Sequence, residues 1–153
     1  MSDASAVTLL FGELGTLLEP EAIIQDPEGD SWSIALVDGV TVDVSLDEER
    51  RMLVFVVDLG PPPQGRIAEV QDVLLRFGFL WRESGGIYAA IDDAGAAVLM
   101  QQAPLAGLDL PSLQRLIGRF SAHREAWSAM LDTVDQDPSE SDEPGPPARG
   151  ALV

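Results

Sequence analysis

The chain has no cysteine, no lysine and no asparagine, and one histidine, His123. Without cysteine there is no disulfide framework, no thiolate zinc site and no thiol catalysis. Without a second histidine, a triad or an imidazole-based metal site lacks partners. His123 shares a helical face with Leu116, Phe120 and Trp127 and reads as a partly buried structural imidazole. No phosphate-binding loop, glycine-rich dinucleotide fingerprint or nucleophile elbow is present. No catalytic residue, cofactor or metal is therefore assigned, and the chain is not expected to be an enzyme. No apolar run approaches a membrane span, so no membrane insertion is expected, and Met1 to Ala6 lacks the basic and apolar regions of a secretory signal. A soluble cytoplasmic protein is the expectation.

Positive charge is also scarce. Nine arginines face 26 carboxylates, for a net charge of −17. That sign repels nucleic acid phosphates and anionic membrane surfaces and favours cationic or apolar protein segments, so the expected partner is another protein and not nucleic acid. Arginine without lysine or asparagine is the bias of a GC-rich bacterial genome. Apolar residues, by contrast, are plentiful at 46%, with a mean hydropathy of +0.11, which no acidic disordered chain would show. The 153 residues suffice for one hydrophobic core.

Val7, Leu10, Phe11, Leu14, Leu17 and Leu18 recur at helical spacing, which predicts a first helix. Gly12 and Gly15 weaken that helix, and two readings stand equally: their small size admits a close approach by another backbone or side chain, or the helix is merely imperfect. Asp26 to Asp30 is turn chemistry, after which Trp32, Ile34 and Leu36 alternate as a strand. Asp38-Gly39 is a hairpin signal, and Val40, Val42, Val44 and Leu46 alternate strictly beyond it. Met52 to Leu59 is apolar at nearly every position, the pattern of a strand covered on both faces. Pro61 to Pro63 close this three-stranded antiparallel meander.

A second helix is predicted from about Gln64 to Phe77, stopped by Gly78. Its apolar residues cover more than one stripe, so it buries two surfaces, one of which could face a second subunit. Phe79-Leu80-Trp81 reads as an extended piece. Ile87 to Ile91 and Ala96 to Gln102 form a hairpin about the Asp92 to Gly95 turn, and a last helix opens at Asp109 and Pro111 and runs to Leu131. The domain is placed at residues 1–131. Residues 132–153 carry six acids to one arginine and four prolines, the composition of a disordered tail. The order helix, three-strand meander, helix, two-strand hairpin, helix defines an α+β fold.

This order resembles that of the class I chaperones of bacterial type III secretion, typified by the Tir chaperones. The residues that carry the resemblance are Leu-Phe-Gly-Glu-Leu-Gly-Thr-Leu-Leu from Leu10 to Leu18, the strand Ser31 to Val37 closing on Asp38-Gly39, and Met52 to Leu59 ending before prolines. Ile87 to Asp92, Val98-Leu99-Met100 and the helix from Asp109 through Phe120 to Leu131 extend it over residues 7–131. The resemblance implies a homodimer that binds the N-terminal segment of a secreted effector, keeps it locally unfolded and presents it for export in a virulence system. Trp32, Ile34, Leu36, Val54, Phe55 and Val56 are candidates for an apolar client groove, against ordinary core packing. Val70, Val73, Leu74, Phe77, Phe79 and Trp81 are the candidate dimer interface. Two alternatives stand beside this one: an adaptor or immunity protein that masks one folded partner, and a small enzyme holding a divalent cation on Asp43, Asp47 and Asp58.

Overall fold

The computed structural model describes residues 2–18 and 22–136. The side chains of Leu17 and Leu18, and the segment from 137 onward that was expected to be a tail, lie outside the described residues. Helix α1 spans Asp3–Leu18 and starts four residues earlier than its apolar spacing predicts. Ser2 explains the early start, because its Oγ accepts the Ser5 N–H at 3.1 Å as an N-cap.

Six strands follow: β1 Ala22–Gln25, β2 Ser31–Ala35, β3 Thr41–Asp47, β4 Met52–Gly60, β5 Tyr88–Ile91 and β6 Ala97–Pro104. They form one antiparallel sheet in the order β1-β2-β3-β4-β6-β5. Helix α2, Ile67–Phe77, sits between β4 and β5, and α3, Leu110–Gln136, closes the fold. The α+β class and helix order are as predicted; the sheet is one strand larger, because β1 pairs with β2 through Ile23↔Ile34 and Gln25↔Trp32. Four residues are too few to show a period. β1 also blurs the usual alternation: Ile23 packs on the helix-covered face but so does polar Gln25, and Ile24, 64% exposed, is on the other.

The turns are set by side chains. Asp38 Oδ1 accepts the Val40 N–H at 3.0 Å and Gly39 takes φ 87°, which makes the β2–β3 reversal. Asp92 Oδ1 accepts the N–H groups of Ala94 and Ala96, both at 2.9 Å, between β5 and β6. Asp109 caps α3 by accepting the Ser112 N–H at 2.9 Å, and this hydrogen bonding holds its carboxyl below the ordinary value.

One face of the sheet is covered by α1 and α3. Phe11 meets Trp32 edge-on at 5.3 Å, and Phe55 packs on Phe120 at 6.3 Å, in a core that also takes in Leu14, Ile34, Val42, Leu53 and Leu113. A smaller cluster joins Val70 and Leu74 of α2 to Ala97 and Trp127. The expectation that β4 is covered on both faces is corrected for the protomer. Leu53, Phe55 and Val57 are buried under the helices, while Met52, Val54 and Val56 are half-buried on a face that no helix among the described residues covers.

Two further expectations change. Phe79-Leu80-Trp81 is not extended: Gly78 keeps a right-handed φ of −59° and the chain winds on through a 3-10 turn at Gly78–Leu80. The reversal comes later, at Gly85 and Gly86 with φ of 74° and 100°, beside buried Ser84 donating to the Ile87 carbonyl at 2.9 Å. And α3 continues past Leu131 to Gln136, so the first five residues assigned to the tail are helical.

Candidate functional site

The sheet has two edges, and β1 forms one of them with a row of backbone N–H and C=O groups that have no strand beside them among the described residues. A groove lies on each side of this edge strand. Between α1 and β1, Phe11, Gly12, Gly15, Ile23 and Trp32 line a groove of about 380 Å³. On the open face, Ile24, Ser31, Ser33, Asp43, Ser45 and Val56 border a second of about 500 Å³. Gln25 fixes the relation between helix and strand, donating from Nε2 to Thr8 Oγ1 at 3.2 Å and to the Gly29 carbonyl at 3.1 Å.

The two helix glycines shape the first groove. A methyl at Gly15 would meet Ile23 Cδ1 at 3.6 Å, so β1 packs close to the helix there, while a methyl at Gly12 would meet nothing within 4 Å. The Trp32 ring forms the base of the groove between α1 and β1, and its indole N–H is buried without a hydrogen-bond partner among the described residues. An extended segment laid beside β1 would gain backbone hydrogen bonds and send alternate side chains to opposite faces, one set into each groove. The surroundings are acidic, with Asp26, Glu28, Asp30 and Asp43 near the edge and no basic side chain lining either groove.

The candidate groove residues divide sharply. Ile34, Leu36 and Phe55 are buried beneath the helices and offer no surface for a partner, which corrects their assignment: they are core. Trp32 is 3% exposed and reaches a groove only as the base of the one between α1 and β1. Val54 and Val56 lie on the open face, and Val56 borders a groove. Ile23, Ile24 and Phe11 were missed, though Gly12 and Gly15 marked the place where something approaches α1.

The candidate dimer residues divide as well. Val70 and Leu74 are spent on the protomer's own core, and Phe77 packs edge-on against His123 at 5.6 Å and Trp127 at 6.4 Å, with Val73 half-buried beside the same cluster. Phe79, 86% exposed, and Trp81, 56%, do face outward, together with Leu75 at 80%. Arg82 lies over the Trp81 ring at 4.6 Å. His123 is the structural imidazole expected of it, and burial beside Arg119 pushes its pKa below the ordinary value.

The carboxylates proposed for a cation are not brought together. Asp43 accepts from Ser33 Oγ at 2.6 Å, Asp47 pairs with Arg50 at 2.9 Å, and Asp58 accepts the Gly60 N–H at 2.7 Å at the bulge that ends β4. Among the described residues no group of three or more His, Asp or Glu side chains could hold a metal ion, and no helix is long and apolar enough to cross a membrane.

Solved structures share this arrangement. A chain of the ExsC-ExsE complex superposes with a TM-score of 0.70 at 23% identity, covering 86% of this chain and 97% of that one. A chain of the HopA1-SchA chaperone-effector complex gives 0.65 at 19% identity, covering 79% and 91%. A chain of the heterodimeric ExoU-SpcU complex from the type III secretion system of Pseudomonas aeruginosa gives 0.55 at 27% identity, covering 67% and 81%. No curated protein matches the chain by sequence. The model of the Tir chaperone protein (CesT) family matches residues 23–128, from the edge strand to the last turns packed in α3, and the chain belongs to that family.

Proposed function

We propose that the protein is a cytoplasmic type III secretion chaperone that binds the N-terminal segment of an effector in extended form. The observation that carries this reading is the open edge of β1 with a groove on each face. The segment adds as a strand, its apolar residues enter the groove between α1 and β1, and the bond-making is wholly non-covalent. Held this way it stays locally unfolded and soluble until export. Family membership and the likeness to chaperone-effector complexes support the same reading.

The working unit is a homodimer. Leu75, Phe79 and Trp81 present apolar surface that the protomer leaves in water, and β4 leaves Val54 and Val56 half-covered. Its role is binding, without catalysis. The charge of −17 keeps so apolar a surface soluble and steers basic stretches of the client toward the acidic edge.

Copurification tests the proposal. A client retained after trimming to its N-terminal segment supports the chaperone; retention that requires a folded catalytic domain favours an adaptor or immunity protein.

A further inference from the structure

Positive charge in this molecule is rare, and most of it is neutralised. Arg50, Arg51, Arg66 and Arg76 are in ion pairs with carboxylates, and Arg82 stacks on Trp81. Among the described residues, Arg115, Arg119 and Arg124, all on α3, have no carboxylate within ion-pair distance. In a chain with 26 carboxylates, that is a segregation of the unpaired cations onto one helix.

Two of them share a groove. Arg115 and Arg119, one turn apart, border a cleft of about 240 Å³ between the end of β6, the loop that follows and the first half of α3. Its apolar lining comes from Ala103, Leu108 and Leu116. Arg115 makes a long contact to Ser112 Oγ, at 3.4 Å, and its charge acts on the nearby Asp109 carboxylate, which caps the helix and forms no ion pair with it. Arg119 is held in place from behind. Its side chain lies so close over Gly85 that a Cβ there would come within 2.7 Å of Nε, and that Nε is buried with no hydrogen-bond partner among the described residues. An arginine already ordered loses less freedom when it meets a carboxylate.

We infer that this cleft binds an acidic segment of a second protein, one that sets a leucine-sized apolar residue between carboxylates. The apolar side chain enters against Leu108 and Leu116, and the flanking carboxylates pair with Arg115 and Arg119. The acids of residues 137–143 do not reach it. Arg115 lies about 31 Å back along α3 from Gln136 at 1.5 Å per residue, whereas Glu143, the last acid of the sequence, is only about 24 Å of extended chain beyond Gln136. The surface is separate from the β1 edge, so client and acidic partner can be held together.

The test uses the full chain and a fluorescein-labelled peptide in which two leucines stand between paired glutamates, read by anisotropy. Saturable binding is expected, weakening about tenfold or more between about 0.05 and 0.3 M salt. Arg115→Glu and Arg119→Glu should each cost at least about tenfold. Arg115 is solvent-facing, so its variant reports on binding even where Arg119→Glu perturbs the Gly85 loop. Arg50→Glu makes the same change of charge elsewhere and should leave affinity within about twofold. Absence of saturable binding, an equal loss in Arg50→Glu, or equally tight binding of a peptide spanning residues 137–144 would overturn the assignment; the last would make the occupant a second copy's tail.

Discussion

The two edges of the sheet are built differently. At one edge β1 stands open, with four residues, a groove on each face and Ile24 in water. At the other, β5 is also four residues long and leaves Tyr88 and Ile91 exposed at its ends, but α2 covers one of its faces, sealing Val70, Leu74 and Trp127, and just beyond α2 Phe79 and Trp81 face outward. An open ladder recruits another strand, whereas a covered edge with exposed aromatics recruits another folded surface. On the proposed reading, client and subunit contacts fall at opposite ends of one sheet.

The sharpest way to break the open edge is through Phe11, which is buried, meets Trp32 and lines the groove. Phe11→Ala is expected to cost about 3–5 kcal/mol in chemical denaturation, and client binding with it. Gly12→Leu separates the two effects. The position is open, so folding should hold or gain up to about 1 kcal/mol from helix propensity, while the leucine fills the groove and client affinity falls about tenfold or more by titration calorimetry. If Gly12→Leu binds client normally, the groove between α1 and β1 is not the site.

At the covered edge, Phe79→Glu with Trp81→Glu should leave protomer stability within about 0.5 kcal/mol per site yet shift sedimentation from dimer to monomer. The smallest effect is that of His123. Its folded-state pKa lies below the ordinary 6.5, so the unfolded chain takes up the proton first, and stability should be flat above that pH and decline as pH falls through it. The decline between pH 7.5 and 5.5, followed by thermal melts, should shrink in His123→Gln.

The long, strictly periodic elements were legible in the sequence. The Val40 to Leu46 alternation became β3, with Val42, Val44 and Leu46 buried and Thr41, Asp43 and Ser45 outward, and Asp38-Gly39 made its hairpin. The site was less legible because periodicity reports burial. Trp32, Ile34 and Phe55 stood out as apolar and proved to be core for that reason, whereas Ile23 and Ile24 sat in a strand too short to register, with polar Gln25 on the covered face. Gly78 misled similarly: glycine is free to end a helix, but here it keeps winding, and the reversal falls to Gly85 and Gly86.

Amide hydrogen exchange across the two edges, with and without the client's N-terminal segment, tests strand addition most directly. The amides of Ala22–Gln25 should slow on binding as they gain a ladder partner, while those of Tyr88–Ile91 stay unchanged. Unchanged exchange at β1 in a saturated complex would contradict the account.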